Sequence, residues 1–335
     1  MARRNEGAVL GVLVCAAVAG AQPGPAAGWG LNTAGQATPL PGSYRAIAAG
    51  DAFVIAVRAD GTLTGWGGNT FGQLEVPAGT FSKVSAGAFG AAGLRTDGTL
   101  VSWGGLEPAP AGTYSDLSVN HVSAIAVRED GVLVPWGLYP GPIPTGSFRA
   151  VTGGRDFFIA MRMDGTLAGW GYDFWGQTRV PPGAFVAVAA GDAFAMALRA
   201  DGTIVAWGNN QSGQASPPPG AFSAIEAGGE YGIGIRPDGS VEVWGSSAYN
   251  LRQPPGGRYF AVAVGLAHAA ALHACPANCD LSLTPPVLSV NDFVCFQQRF
   301  VAGDAYANCD GSTRAPALNI NDFVCFMSGF ASGCP

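Results

Sequence analysis

A Trp-Gly pair recurs seven times in this chain, at Trp29, Trp66, Trp103, Trp136, Trp170, Trp207 and Trp244, with spacings of 37, 37, 33, 34, 37 and 37 residues. Recurrence at such a period marks stacked supersecondary units, none of which can bury its apolar face alone. Six residues before each of the last six tryptophans stands an Asp-Gly: Asp60, Asp97, Asp130, Asp164, Asp201 and Asp238. Between apolar runs this dipeptide predicts a two-residue hairpin turn, because Asp and Gly both tolerate positive φ. Upstream lies a small-residue run such as AGDAFVIAV or AGDAFAMAL. Small side chains suit strands near a central axis, so this run is expected to be the innermost strand of its unit. A seventh such run, VGLAHAAAL ending at Leu272, is followed by no Asp-Gly or Trp, and Trp29 has no run before it. The two ends therefore complete one unit between them, and such closure removes the sheet edges that invite aggregation. The expectation is an all-β seven-bladed propeller over residues 28–274 with a blade shared by the N- and C-terminal ends. Each blade has room for three or four strands of about five residues.

The composition agrees with tightly turned β-structure: 51 glycines and only 12% charged residues in 335. A formal charge of -6 with Lys83 as the only lysine excludes a nucleic-acid footprint. Residues 1–21 read as a signal peptide, with Arg3 and Arg4 ahead of an apolar stretch, Gly7 to Val18, too short to span a bilayer, and then Ala19-Gly20-Ala21. Residues 22–27 follow as a short linker. The chain is thus expected to be exported, secreted and extracellular. Of seven cysteines, Cys15 leaves with the signal, and Cys275, Cys279, Cys295, Cys309, Cys325 and Cys334 cluster at the other end. An even set in an exported chain reads as three disulfides in a small domain, residues 275–335. Their connectivity stays open; Cys275 with Cys334 would make a terminal clasp.

The A-G…D-G-x-[LIV]-x-x-W-G…G-Q pattern resembles the repeats of the regulator of chromosome condensation, and the 37-residue unit is similar to secreted bacterial β-lactamase-inhibitor propellers. The resemblance covers about three quarters of the chain and implies the same propeller fold. Where that family often has His, this chain has Phe53, Phe157, Phe194 and Tyr231, with His268 alone matching.

Residues that recur in every unit are expected to serve structure. Arg58, Arg95, Arg128, Arg162, Arg199 and Arg236 stand two before each turn Asp and suggest a hydrogen bond or ion pair within each blade, although a ring of six cations binding an anion is the functional reading. The repeated tryptophans suit packing between blades. Variation is more informative. After Trp29, Trp66, Trp170 and Trp207 the chain has Gly at +6 and Gln at +7, as in WGGNTFGQ, and WGSSAYNL after Trp244 keeps that length. After Trp103 and Trp136 the loop is shorter. Five consecutive blades around the ring thus carry long loops on one face, with Phe71, Tyr172, Phe174, Trp175 and Tyr249 as candidate partner-binding aromatics. Trp175, outside the repeating register, is the first choice for exposure. Aromatics on rigidly held loops are what protein interfaces use as anchors. No catalytic constellation stands out: His121, His268 and His273 follow no metal or nucleophile spacing. Asp51, Asp156, Asp192 and Glu230 could ring a channel mouth, and paired carboxylates there would permit an enzyme acting on polysaccharide. A secreted inhibitor is a third reading, from family resemblance.

Two segments, NCDLSLTPPVLSVNDFVCF and NCDGSTRAPALNINDFVCF, repeat at an offset of 30 residues. Each opens with alternate oxygen-bearing side chains and ends in an apolar run that reads as a helix start. These duplicated units resemble dockerins, in particular the GC-type variant, which implies a small disulfide-rich α-helical module that docks onto a protein partner at the cell surface or in an extracellular assembly. Calcium requires a cage of oxygen ligands. The candidates are Asn278, Asp280, Ser282, the Val287 carbonyl, Ser289 and Asp292, then Asn308, Asp310, Ser312, the Ala317 carbonyl, Asn319 and Asp322. The alternative is a stapled helical pair in which Asn and Asp only cap helices. The reading reached is a non-catalytic exported protein whose propeller binds a protein or glycan.

Overall fold

The computed structural model describes residues 23–138, 141–274, 296–297, 324 and 326–327. The described strands form seven three-stranded antiparallel sheets. Six of them are made from one stretch of chain each. In the first blade Tyr44–Ala49 pairs with Phe53–Arg58, which pairs with Leu63–Gly67. The seventh joins both ends: Tyr259–Val264 and His268–His273 take Ala26–Gly30 as their third strand, with Trp29 opposite Ala269 and Ala26 opposite Leu272. The ring closes as the unmatched Trp29 requires. That strand begins at Ala26, inside the stretch read as linker, and Gly24 extends the closure by exchanging backbone hydrogen bonds of 2.9 Å with Tyr44 of the first blade.

The innermost strand is not the run that sequence suggested. AGDAFVIAV spans the turn at the axis and then the middle strand of its blade, Phe53–Arg58, flanked on both sides within the sheet. The innermost strands are the ones before it, Tyr44–Ala49, Phe81–Ala86, Tyr114–Val119, Phe148–Gly153, Ala187–Ala190, Ala224–Ala227 and Tyr259–Val264, whose ends line the axis. Small residues recur in the middle strand because it is covered on both faces by neighbouring blades, which demands small side chains as strongly as an axis does. The axis itself is narrowed by backbone. A Cβ at Gly50, Gly87, Gly154, Gly191, Gly228 or Gly265 would collide with the carbonyl oxygen of the next blade's turn, and Gly265 meets Gly50 where the ring closes.

The core lies between blades. Seven buried clusters each join two adjacent blades, one per interface; Trp29, Tyr231, Tyr259 and Ala269, for example, share the cluster between the sixth and seventh. A buried aromatic residue stands at the start of each innermost strand, opening it at Tyr44, Phe81, Tyr114, Phe148 and Tyr259 and lying two residues ahead of it at Phe185 and Phe222. The recurrent arginines lie against these rings. Arg95, Arg162, Arg199 and Arg236 stand over Phe81, Phe148, Phe185 and Phe222 at 5.0, 5.4, 5.6 and 4.0 Å. Arg58 bonds Thr64 at 3.0 Å, Arg128 pairs with Asp130, and in the seventh blade His273 takes the arginine's place against Tyr259. Each arginine is engaged within its own blade, and no ring of free cations forms among them.

The hairpin turn also differs from expectation. Only its glycine takes positive φ (Gly61 at +89°), while Arg58 N bonds Thr62 O and Gly61 N bonds Arg58 O, giving a three-residue loop ending in a left-handed glycine. The aspartate stays right-handed because its carboxylate is used: Asp60 accepts from Thr62 N at 2.9 Å and Thr62 Oγ1 at 2.7 Å. The same pair of bonds recurs at Asp97, Asp164, Asp201 and Asp238, and it holds each carboxyl below its usual range.

A binding face of pinned aromatic loops around the axis

The Gly-Gln after four of the five long-loop tryptophans is a latch. The carbonyls of Gln36, Gln73, Gln177 and Gln214 accept from the indole Nε1 of the next blade's tryptophan, Trp66, Trp103, Trp207 and Trp244, at 3.0, 2.8, 2.8 and 3.0 Å. Leu251 does the same for Trp29 at 2.9 Å. The glutamine side chains are buried, and each Oε1 accepts from the backbone N–H two residues earlier, at Ala34, Phe71, Trp175 and Ser212. One residue thus ties its loop to itself and to the adjacent blade. Where the loop is short the latch is missing, and among the described residues Trp136 and Trp170 Nε1 have no acceptor. Those same interfaces carry polar links between innermost strands instead: Lys83 to Asp116, Asp116 Oδ2 to Val151 N at 2.9 Å, Ser85 Oγ to Val119 N at 2.9 Å and Ser118 Oγ to Gly153 N at 2.9 Å.

The latched loops rise on the same end of the ring as the turns at the axis, since each loop's first residues bond the turn beside them: Gly68 N to Ala52 O, Tyr172 N to Asp156 O and Ser246 N to Glu230 O. All five aromatics singled out from sequence are exposed on this face. Phe174, at 71%, stands out furthest, and Trp175, at 39%, least, the reverse of the order expected. The reason is that Trp175 packs edge-on to Phe174 at 5.1 Å, while Phe174 stacks over Tyr172 at 6.4 Å. Phe71 leans on Phe89, which leans on His121, so an aromatic path leads inward from the rim. In the loop after Trp244 no glutamine supplies Oε1, and Tyr249 and Asn250 both adopt left-handed backbone, φ 58° and 59°. That conformation costs a side-chain-bearing residue about 1 kcal/mol or more.

Inside the rim, three consecutive residues from each blade line an axial cavity of about 100 Å³. The third residue of these triplets carries the chemistry: Asp51, His121, Arg155 and Asp192, with Leu266. Arg155 Nη1 lies 3.8 Å from Asp192. Burial lifts the carboxyls of Asp51 and Asp192 above their usual range, against the lowering pull of Arg155 and His121. Of the acids read from sequence, Asp51 and Asp192 line the cavity, whereas Asp156 and Glu230 sit one residue further along, with Glu230 accepting from Ser212 at 2.9 Å. Sequence reasoning did not bring His121 and Arg155 to this place. Reading down the third position of the small-Gly-X triplets (AGD, AGA, VNH, GGR, AGD, AGG, VGL) would have found them.

The signal peptide, the six clustered cysteines and all twelve candidate calcium ligands lie outside the described residues. From the C-terminal duplication only Phe296 and Phe326, equivalent positions in the two copies, are placed with their helical neighbours; both are buried, and their rings stack at 4.0 Å. Among the described residues no helix is long and apolar enough to cross a membrane.

Residues 44–73 and 185–214 match the model for the Regulator of chromosome condensation (RCC1) repeat. Both segments run from the buried aromatic at the start of an innermost strand to the latch glutamine. No curated protein matches the chain. Among solved structures it is similar to Prp20p of Saccharomyces cerevisiae, described for its binding to Gsp1p and histones, at 13% identity and a TM-score of 0.66 over 84% of this chain and 95% of that one. The yeast protein bound to Kap60 gives 13% identity and 0.67 over 91% and 98%. The CRINKLY WD40 ectodomain of the Arabidopsis thaliana receptor kinase ACR4 gives 20% identity and 0.58 over 66% and 89%. The fold is thus a propeller like theirs, and two of its segments match the RCC1 repeat.

Proposed function

We propose that this chain is an exported, non-catalytic binding protein whose propeller captures a protein or glycan on the latched-loop face. The C-terminal duplication docks it, with calcium, to a protein partner at the cell surface or in an extracellular complex. The observation that carries the propeller's role is the exposure of Phe71, Tyr172, Phe174, Trp175 and Tyr249 on one face. The loops of Phe71, Tyr172, Phe174 and Trp175 are held by buried glutamines and indole hydrogen bonds, and that of Tyr249 by the indole bond to Leu251. Anchors already fixed in place lose little conformational freedom on binding, so more of their contact energy appears as affinity. The protein-binding neighbours named above, Prp20p with Gsp1p, histones and Kap60, support a scaffold role for such propellers. Docking through residues 275–335 rests on the dockerin resemblance and the duplicated Asn-Asp-Phe-x-Cys-Phe segments.

The test uses the full chain as bait against envelope extract and a glycan array, alongside Tyr172→Ala/Trp175→Ala and a chain lacking residues 275–335. Loss of capture by the double variant at an unchanged melting temperature supports the face. Capture that persists would refute the face, and a large fall in melting temperature would mean that these rings serve stability instead. Retention at the envelope by the truncated chain would refute the docking role.

A further inference from the structure

The cavity at the axis is ringed by more negative charge than the fold uses. Asp51 and Asp192 line it, Asp156 and Glu230 stand one residue outward, and facing them are one guanidinium, Arg155, and one imidazole, His121. The sole ion pair among these groups is loose: Arg155 to Asp192 at 3.8 Å, with the arginine side chain half exposed. No described residue donates a hydrogen bond to the Asp51 carboxylate, unlike the turn aspartates on the opposite end, each of which accepts a backbone N–H of its own turn. Withdrawal from water holds both Asp51 and Asp192 carboxyls above their usual range, and a cation arriving there would recover that cost. The wall is aromatic as well as acidic, since Phe71, Phe89 and His121 form edge-to-face contacts at 4.9 and 5.2 Å from rim to mouth. Between the side chains the cavity is lined by glycine backbone, Gly50, Gly87, Gly154, Gly191, Gly228 and Gly265, which narrows the axis at this end.

We infer that the occupant of this face is a protein segment that inserts an arginine side chain into the axial mouth while its flanking apolar residues rest on the aromatic loops. The inference rests on the binding reading above and adds the partner's chemistry. Arginine fits better than lysine because its planar guanidinium forks onto carboxylates and stacks on aromatic rings, and this mouth presents both. A neutral sugar would add no counter-charge to the two desolvated carboxylates beyond what Arg155 and His121 already supply, and an acidic ligand would meet Asp51 and Asp192 with like charge.

The experiment selects peptides from a random phage-displayed library on the immobilised full-length chain and measures their affinity for it, for Asp51→Asn/Asp192→Asn and for Tyr172→Ala/Trp175→Ala. Melting temperature is recorded for each; the Asn variant should melt no lower than the parent, because the carboxylates it removes are unfavourably desolvated. The expected peptides carry arginine beside apolar residues and bind the Asn variant at least about tenfold more weakly, and lysine in place of arginine recovers only part of the affinity. Peptides without arginine, or unchanged affinity for the Asn variant while Tyr172→Ala/Trp175→Ala abolishes binding, would overturn the arginine inference and leave the face intact. Affinity unchanged in both variants would overturn both. Failure to enrich basic peptides alongside glycan-array binding would replace the protein segment with a sugar.

Discussion

Lys83 offers the sharpest test of how the blades are held together. Two residues after the buried aromatic at the start of the strand, five innermost strands have alanine: Ala46, Ala150, Ala187, Ala224 and Ala261. The second and third blades instead place Lys83 and Asp116 there, paired with each other, with side chains only 8% and 9% exposed. Asp116 also takes the Val151 N–H of the fourth blade, so a single carboxylate spans three blades at the two interfaces where the indole latch is missing. Replacing Lys83 with Ala leaves a buried carboxylate with one backbone donor, a loss expected to cost about 3 to 5 kcal/mol. In a domain of this size that lowers the melting temperature by roughly 2 to 4 °C per kcal/mol. Removing both charges returns the site to the Ala-Ala arrangement of the other blades. The residual cost is then the unpaired Val151 N–H, about 1 to 3 kcal/mol. Lys83→Ala/Asp116→Ala is therefore expected to be more stable than Lys83→Ala alone, with a coupling energy of about 2 kcal/mol or more in a double-mutant cycle. Urea unfolding followed by tryptophan fluorescence measures all four corners. If the double variant loses the sum of the two single losses, the residues act independently and the account of blade stitching is wrong.

His268 sets an acid sensitivity. It is fully buried, and desolvation lowers its pKa to about 4 from 6.5. A group depressed in the folded state binds its proton first in the unfolded chain, so stability falls as pH drops from 6.5 to 4, by about 3 kcal/mol in total. His268→Phe, the residue at the equivalent positions 53, 157 and 194, should gain on the parent steadily through that window; Asp51 and Asp192, whose raised carboxyls act in the opposite direction, cancel in the difference. A flat difference curve would refute this. Tyr249→Asn should raise stability by about 1 kcal/mol by easing the left-handed backbone, read as a higher melting temperature, while weakening capture by the face. For the C-terminal segment, a disulfide contributes about 2 to 4 kcal/mol against about 2.7 kcal/mol for calcium at a hundredfold excess over its dissociation constant. Chelator alone is therefore expected to leave the oxidised segment folded, and chelator with reductant to unfold it, as followed by proteolysis.

The ring could be read from the sequence because repetition and closure are both matters of counting. Trp29 without a run and Leu272 without a Trp can be reconciled only by a shared blade, and Trp29 opposite Ala269 is that blade. Which strand lies innermost could not be counted, because small residues answer two demands at once: the tight axial turn at Gly50 and the twice-covered middle strand from Phe53. The glutamines were visible only as loop markers. Their role needed the observation that each stands 30 residues before the tryptophan it holds, Gln36 before Trp66 through Gln214 before Trp244, and that Trp136 and Trp170 lack such a residue. The aromatic tips were legible because they break the repeat, whereas the acidic mouth was half legible because its chemistry is spread over seven turns. Asp51 and Asp192 repeat the AGD triplet, but His121 and Arg155 occupy the same position in VNH and GGR, where no residue type recurs to draw attention. In a closed ring every blade supplies one residue to a common centre. The sites that matter for recognition are therefore those where the structural pattern is kept and the side chain is free to differ, and they are found by aligning the blades to one another rather than by scanning along the chain.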